Sequence, residues 1–128
     1  MFEIGVVAHF EAAHRLRGNF GPATRLHGHT YRVEVGVRGD ALRDDGTLCD
    51  LGRLQDAAQA ATSVLHYRDL DEVPELAGRN TTAEVVARFL ADRIAARLEG
   101  ERLRSLAVRV WESPHAYAAY ERDLGPGS

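Results

Sequence analysis

The sequence has a single cysteine and no lysine. Cys49 has no second cysteine with which to form an internal disulfide, which fits a reducing compartment. Because all 16 basic residues are arginine, chemistry that needs a lysine Schiff base is excluded. No stretch approaches the roughly 18 consecutive apolar residues of a membrane span, and the first residues lack the pattern of a secretory signal. We therefore expect a cytoplasmic protein with no membrane partner.

The charge pattern gives no sign of a nucleic-acid surface. The formal net charge is −3, and the arginines are scattered rather than gathered in a basic stripe. We therefore expect no nucleic-acid partner. A chain of 128 residues fits one domain, and we expect that domain to occupy residues 1–124, with a flexible tail over residues 125–128.

Four segments have the pattern of β-strands. Residues 2–14 and about 27–38 alternate between apolar and polar side chains, and residues 17–25, with two glycines and a proline, predict a loop between them. Two shorter segments, 106–112 and 116–121, predict a further pair of strands near the C-terminus.

Two helices are predicted between the strand pairs. Asp50 is suited to be the N-cap of a helix over about residues 51–65. Five residues share its apolar stripe: Leu51, Leu54, Ala58, Ala61 and Leu65. Thr81 and Glu84 have the spacing of a capping box and predict a second helix that runs to about Leu98.

The order of elements predicts an α+β fold. With a polar loop over residues 67–74 between the helices, the order is ββααββ: a mainly antiparallel four-stranded sheet with two helices on one face. Such a sheet has two exposed edges, and long edge strands pair readily with another chain. We therefore expect a homo-oligomer, although a monomer with charged edges is the alternative.

Three histidines occupy strand positions where the alternation calls for apolar side chains. His27 and His29 lie two residues apart, about 6.6 Å along one strand, and point the same way. His14 ends the preceding strand on its apolar face, whereas His9 falls on the opposite face and should not be a ligand. Three neutral histidines could bind one zinc ion and leave a fourth position open, as in catalytic sites. A hydrogen-bonded histidine cluster without metal is the alternative.

Glu112 is a second residue that does not fit an apolar face. It is in phase with Leu106, Val108 and Val110 at the end of a strand, so we expect it to point inward. A buried carboxylate needs donors. These could come from an internal arginine, or from the paired N–H groups of a guanine- or pterin-type ring, which a carboxylate can accept in a bidentate fashion.

The other candidate residues carry weaker signals. His66 and Asp69, after the first helix, could form an acid–base pair, although polar residues in loops are usually just solvated. His115, near Glu112, could touch a ligand. Cys49 lies beside the predicted helix cap and is expected to fill space rather than to act as a nucleophile.

Four motifs occur in the same order in a known family. They are Phe10–His14 (Phe-Glu-Ala-Ala-His), Leu26–Tyr31 (Leu-His-Gly-His-Thr-Tyr), Asn80–Glu84 (Asn-Thr-Thr-Ala-Glu) and Val110–Ser113 (Val-Trp-Glu-Ser). Over nearly its whole length the sequence resembles the 6-pyruvoyl- and 6-carboxy-tetrahydropterin synthases.

The resemblance implies a fold, an assembly and a site. The fold is the tunnelling fold, in which trimers close a twelve-stranded barrel and two trimers form a hexamer. Zinc is expected on His14, His27 and His29, and Glu112 is expected to hold the pterin ring. Thr82, in the third motif, and His115 are further candidates for substrate contact. The implied activity is a lyase reaction on 7,8-dihydroneopterin triphosphate or a related pterin, in which zinc makes side-chain hydroxyls easier to deprotonate.

The sequence departs from the family pattern at the proton-transfer residues. The family usually has a catalytic cysteine four residues before the first histidine of His-Gly-His, where this chain has Ala23, and related members have a glutamate beside it, where this chain has Thr24. The positions of the family's Asp-His pair hold His66 and Tyr67.

Three functions therefore stay open. The first is a zinc-dependent pterin lyase whose base is His66, Asp69 or zinc-bound hydroxide. The second is a relative that acts on a different purine- or pterin-like substrate. The third is a homologue that binds a pterin- or purine-like ligand without the standard reaction, as a sensor or partner surface.

Overall fold

The computed structural model describes residues 1–125 and contains five strands and two α-helices. The strands are β1 (Phe2–His14), β2 (His27–Gly39), β3 (Arg68–Asp69), β4 (Ser105–Ser113) and β5 (Ala116–Asp123). The helices are α1 (Leu51–Ser63) and α2 (Ala83–Ala96). Of the predicted tail, Gly125 donates its N–H to the Asp123 carboxylate at 2.8 Å, and residues 126–128 lie outside the described part of the chain.

The strands form one sheet in the order β3-β1-β2-β4-β5. The pairs β1–β2, β2–β4 and β4–β5 are antiparallel. All thirteen residues of β1 pair with β2, from Phe2 opposite Gly39 to His14 opposite His27. This confirms the predicted α+β class and the antiparallel sheet.

One strand was not expected. The prediction of a polar loop over residues 67–74 was wrong in part, because β3 lies within it and pairs in parallel with Ala12 and Ala13 of β1. Two residues are too few to show an alternating pattern, so the sequence carries no periodic signal for this strand.

The sheet has one covered face and one uncovered face. Alternate residues of the central strands are buried, among them Phe10, Val33, Val35, Val108 and Val110. Helix α1 packs against β1, α2 packs against β4 and β5, and the helices contact each other. The prediction of two helices on one face is therefore confirmed, and the other face carries charged side chains such as Arg32, Glu34 and Arg109.

Two details of the helices differ from the prediction. Leu51, expected on the apolar stripe of α1, is 49% exposed. The N-cap of α2 is Thr82, whose hydroxyl accepts a hydrogen bond from the N–H of Val85 at 3.2 Å. The cap is thus one residue later than predicted, and Thr81 is fully buried instead.

The fold brings three chain segments together at one end of the sheet. These are the end of β1, the start of β2 and the segment before α2. The first two contain the three histidines singled out above, and the third contains Thr81. No helix within residues 1–125 is long and apolar enough to cross a membrane.

Candidate metal centre

His14, His27 and His29 meet on the covered face of the sheet. His14 lies opposite His27 in the register, and His29 lies opposite Ala12 on the same side. The ring centroids are 4.6 Å apart for His14–His27, 5.2 Å for His14–His29 and 4.8 Å for His27–His29. One ring nitrogen from each histidine lies within 4.8 Å of the others. The residues predicted as ligands are therefore close enough to share one metal ion.

The hydrogen bonds of two histidines leave the second ring nitrogen free for a cation. Nδ1 of His14 is 2.7 Å from the carbonyl oxygen of Thr81, and Nδ1 of His27 is 2.7 Å from that of Arg25. A carbonyl can only accept, so each Nδ1 carries the proton and each Nε2 keeps its lone pair. Ligating histidines usually have their other nitrogen held in this way.

Two buried nitrogens in the cluster have no hydrogen-bond partner among residues 1–125. They are Nε2 of His14 and Nε2 of His29. Buried polar atoms without partners are rare in folded proteins because each costs about 1–3 kcal/mol. A metal ion bound by the three imidazoles would satisfy such nitrogens, so the residues present fit zinc.

Glu112 points to the covered face, as predicted. One of its carboxylate oxygens lies 3.3 Å from Nε2 of His29, although the two atoms are not aligned as a hydrogen bond. Within the described residues no arginine pairs with Glu112, which removes the alternative of an internal arginine. Its side chain is 27% exposed, so the carboxylate can be reached from outside.

The surroundings of His29 favour the neutral, metal-binding form. Burial is the largest cause and lowers the pKa of His29 below its ordinary value. Glu112 acts in the opposite direction, while His14 and His27 add to the lowering of that pKa. A histidine must be neutral to ligate, so His29 is ready to bind a metal at neutral pH.

Tyr31 lies next to the cluster on β2. Its ring stacks on Phe10 with centroids 4.6 Å apart and lies 5.3 Å from the ring of His29. Burial raises the pKa of Tyr31 far above its ordinary value, so the phenol stays protonated. Its hydroxyl is buried without a hydrogen-bond partner within the described residues.

Asp71 and Thr81 support His14, and neither role was predicted from sequence. The hydroxyl of Thr81 donates to Oδ1 of Asp71 at 3.0 Å, and Oδ2 of Asp71 accepts from the backbone N–H of Arg15 at 2.9 Å. Asp71 lies in a segment without apolar periodicity, and only the fold reveals that it contacts the residue after His14. A sequence signal for this contact does not exist.

His66 and Asp69 lie beside β1, where each accepts a hydrogen bond from a backbone N–H. The N–H of Glu11 donates to Nδ1 of His66 at 3.1 Å. Oδ1 of Asp69 accepts from the N–H of Asp71 at 3.0 Å. The structure records no contact of either side chain with the three clustered histidines, so their catalytic roles stay predictions.

An open cleft of about 590 Å³ has both Asp69 and His29 in its lining. It is lined by residues of three segments, including Gly28 and His29 of β2 and Tyr67 and Asp69 near β3. Its size is within the range of small-molecule sites. Another cleft, of about 560 Å³, lies at the opposite end of the sheet, where Arg104 pairs with Asp40 at 2.7 Å.

Tyr67, which lines the cleft beside Asp69 and His29, has an unusual backbone conformation. Among residues 1–125 it is the only residue other than glycine with a positive φ, at 58°. Its side chain is 77% exposed and its ring lies 3.8 Å from that of His66. A left-handed conformation is unfavourable for a bulky residue and is often found at functional sites.

The remaining predicted residues lie at the edge of the site or away from it. Thr82 caps α2, and His115 is exposed in the turn between β4 and β5, so their substrate contacts stay predictions. His9 is exposed and outside the cluster, as expected. Cys49 is 2% exposed, and burial raises the pKa of its thiol, which argues against a nucleophile.

The site can be compared with known proteins. Residues 3–123 match the family model described as 6-pyruvoyl tetrahydropterin synthase. The chain is 30% identical over 128 residues to 6-carboxy-5,6,7,8-tetrahydropterin synthase of Bacillus subtilis, covering 97% of this chain and 88% of that protein. It is 30% identical over 106 residues to dihydroneopterin monophosphate aldolase of Pyrococcus furiosus, covering 82% and 84% of the two chains.

A solved structure supports the fold independently. The structure of 6-pyruvoyl tetrahydropterin synthase from Caenorhabditis elegans superimposes with a TM-score of 0.83 at 24% identity, covering 95% of this chain and 96% of that one. This likeness shows that the fold is that of the predicted tunnelling-fold synthases.

Proposed function

The chain belongs to the 6-pyruvoyl tetrahydropterin synthase family, and from this premise we propose that it is a zinc-dependent lyase acting on the side chain of a dihydropterin. The proposed substrate is 7,8-dihydroneopterin triphosphate or a related pterin. The relative from Pyrococcus furiosus is named as an aldolase of dihydroneopterin monophosphate, which supports carbon–carbon cleavage as one form of the reaction.

The observation that carries the proposal is the histidine cluster with its partnerless nitrogens. His14, His27 and His29 offer ligand atoms within 4.8 Å of one another, and Nε2 of His14 and of His29 have no other partner among the described residues. These three residues would hold the zinc. When bound, zinc would supply Lewis acidity toward the oxygens of the substrate's side chain.

Glu112 would bind the pterin ring. Its carboxylate is partly exposed and has no arginine partner among the described residues, so it can accept the paired N–H groups of the ring. Because Glu112 lies 3.3 Å from Nε2 of His29, a ring held by Glu112 would lie beside the proposed metal site.

Proton transfer is the step for which this chain lacks the usual residue of its family. Ala23 has no ionisable group, and loss of a positioned general base typically costs about 10²–10⁴ in rate. Asp69 lines the same cleft as His29 and is the better candidate for the base. His66 accepts an N–H at Nδ1, so its neutral form carries the proton on Nε2 and cannot take another there.

The second candidate function is a homologue that binds a pterin- or purine-like ligand without the standard reaction. Ala23 favours it, and so does the use of His66 in a structural hydrogen bond. In this case the ring anchor and the metal ligands would serve recognition alone.

One set of measurements separates the two functions. Purified protein is analysed for zinc and incubated with 7,8-dihydroneopterin triphosphate, with the monophosphate and with 7,8-dihydroneopterin, before and after chelation. The lyase predicts about one zinc per chain and a cleaved side chain whose formation stops on chelation. Tight pterin binding with no product from any of the three compounds would favour the second function, and absence of bound zinc would contradict the lyase.

We also propose that the protein acts as a homo-oligomer, a hexamer of two trimers, in the cytoplasm. The proposal is supported by two free sheet edges within the described residues. Residues 2–10 of β1 have no outer neighbour because β3 covers only Ala12 and Ala13, and β5 has no outer neighbour along its length. Pairing of such edges between chains would close the sheets into a barrel.

A further inference from the structure

One carboxylate holds two parts of the chain that determine the position of His14. Oδ2 of Asp71 accepts the backbone N–H of Arg15, the residue directly after His14, at 2.9 Å. Oδ1 of the same carboxylate accepts the hydroxyl of Thr81 at 3.0 Å. The carbonyl of Thr81 in turn accepts Nδ1–H of His14 at 2.7 Å.

These bonds form a closed loop around the imidazole of His14. The backbone leaving the histidine and the acceptor of its ring proton are tied to the same side chain, so neither can move without breaking a hydrogen bond to Asp71. The ring is fully buried and its acceptor, Thr81, is fully buried too. The loop therefore fixes which nitrogen of His14 is protonated and where its lone pair points.

The other two histidines lack such support. Nδ1 of His27 donates to the carbonyl of Arg25, which belongs to an exposed loop. His29 has ring contacts with its neighbours and lies against Glu112, but its Nε2 has no aligned hydrogen bond among residues 1–125. His14 is therefore the most firmly oriented of the three.

We propose that Asp71 is a positioning residue of the metal centre, which acts through Thr81 and Arg15 to hold His14 in the orientation that binds the ion. The inference rests on the metal ligands of the proposed function. Supporting groups of this kind typically contribute a factor of about 10–100 in metal affinity.

The test measures zinc affinity by competition with a chromogenic chelator. In Asp71→Asn, one acceptor oxygen remains where the carboxylate had two, so the charge-assisted bond from Thr81 is replaced by a weaker bond from the amide to its hydroxyl, or the bond from Arg15 is lost. We expect zinc affinity to fall by about 10–100-fold. Thr81→Val removes the hydroxyl but keeps the carbonyl and should cause a similar loss, whereas Thr81→Ser keeps the hydroxyl and should stay within about threefold of the unchanged protein.

Two controls separate positioning from a general loss of stability. Glu72→Gln changes the next carboxylate along the chain, which is exposed and has no side-chain partner among residues 1–125, and should leave zinc affinity unchanged. Asp71 and Thr81 act through one hydrogen bond. The fold loss in zinc affinity of the double variant, Asp71→Asn combined with Thr81→Val, should therefore be smaller than the product of the two single fold losses. If Asp71 served stability alone, the variants would lower the melting temperature of the metal-free protein, and their losses in zinc affinity would multiply in the double variant.

A second measurement needs no metal. In metal-free protein, the Nδ1–H of His14 should exchange slowly with solvent in the NMR spectrum, and in Asp71→Asn its exchange should become faster.

The zinc measurement distinguishes failure of the proposed function from failure of the positioning role. If the unchanged protein binds no zinc, the proposed function fails. If it binds zinc and folded Asp71→Asn and Thr81→Val bind it equally within twofold, the ligand assignment stands and the positioning role is wrong.

Discussion

Each of the three clustered imidazoles offers one nitrogen to the candidate metal site, and two of them use the other nitrogen as a hydrogen-bond donor. His14 and His27 donate Nδ1–H to backbone carbonyls, and His29 lies against a carboxylate. Because two of these nitrogens are otherwise unpaired and buried, the cluster is costly without a cation. Metal binding, as proposed above, would remove this cost and so explain three histidines on an apolar face.

His27→Ala tests the ligand set directly. Removal of one of three ligands should reduce zinc to well below one per chain, because two histidines seldom hold zinc firmly. The measurement is elemental analysis after extensive dialysis. His9→Ala is the matched control, since His9 lies exposed on the opposite face of the same sheet and should retain full zinc. Equal zinc in both variants would mean that the ligand assignment is wrong.

Glu112→Ala tests the ring anchor. The change leaves the paired N–H groups of a bound pterin without an acceptor, which should weaken pterin binding by more than tenfold. Fluorescence titration with the metal-loaded protein gives the dissociation constant. Zinc content is measured in parallel and should not fall to the level of His27→Ala, because Glu112 is not part of the ligand group. Unchanged pterin affinity would remove Glu112 from the site.

Sequence patterns predicted the residues of the cluster but not the residues that support it. His14, His27 and His29 interrupt an apolar alternation, and such interruptions are visible in one dimension. Asp71 interrupts nothing, since it lies in a polar segment, and its contact with Arg15 spans 56 positions of the chain. Contacts of this kind depend on the tertiary fold and leave no local pattern.

Among the secondary-structure elements, the start of α2 contributes both to the stability of a helix and to the candidate metal centre. Thr81 supports His14 with its carbonyl, and the next residue, Thr82, caps the helix with its hydroxyl. The sequence predicted a cap here one residue too early, because Thr81 and Thr82 are chemically equivalent and only backbone geometry distinguishes them. Helix boundaries are uncertain by this amount in general, whereas the periodic strands and helices were predicted correctly.

Thr82→Ala should lower the free energy of unfolding by about 1 kcal/mol, because it removes the acceptor for the N–H of Val85. For a domain of this size the melting temperature should fall by about 3–5 °C. Thr82→Ser is the matched control and should stay close to the unchanged protein, since serine caps helices equally well. Differential scanning calorimetry of metal-free protein gives both values. A loss in Thr82→Ser equal to that in Thr82→Ala would assign the effect to the methyl group instead.

The whole molecule has a sheet with one polar, uncovered face. On that face Nε1 of Trp111 donates to Glu34 at 2.6 Å, and the guanidinium of Arg109 lies 5.1 Å from the ring centroid of Tyr117. The free edges of β1 and β5 border it. A sequence read alone shows that the edges exist, but not which residues of a second chain would meet them.

Multi-angle light scattering tests the assembly. At micromolar concentration we expect a mass near six times that of one chain, because two long free edges in each copy favour closed, symmetric pairing. A dilution series should show dissociation into smaller species rather than a continuous distribution. A mass equal to that of one chain at every concentration would contradict the proposed oligomer.

The pairing of β1 with β2 has a consequence for how the protein matures. His14 stands opposite His27, and His29 stands on the same side two residues along. A shift of one residue between these strands would turn His14 to the opposite side from the other two. Zinc bound as proposed would therefore be retained only by chains whose strands are aligned correctly, and metal uptake would select properly folded copies over misaligned ones.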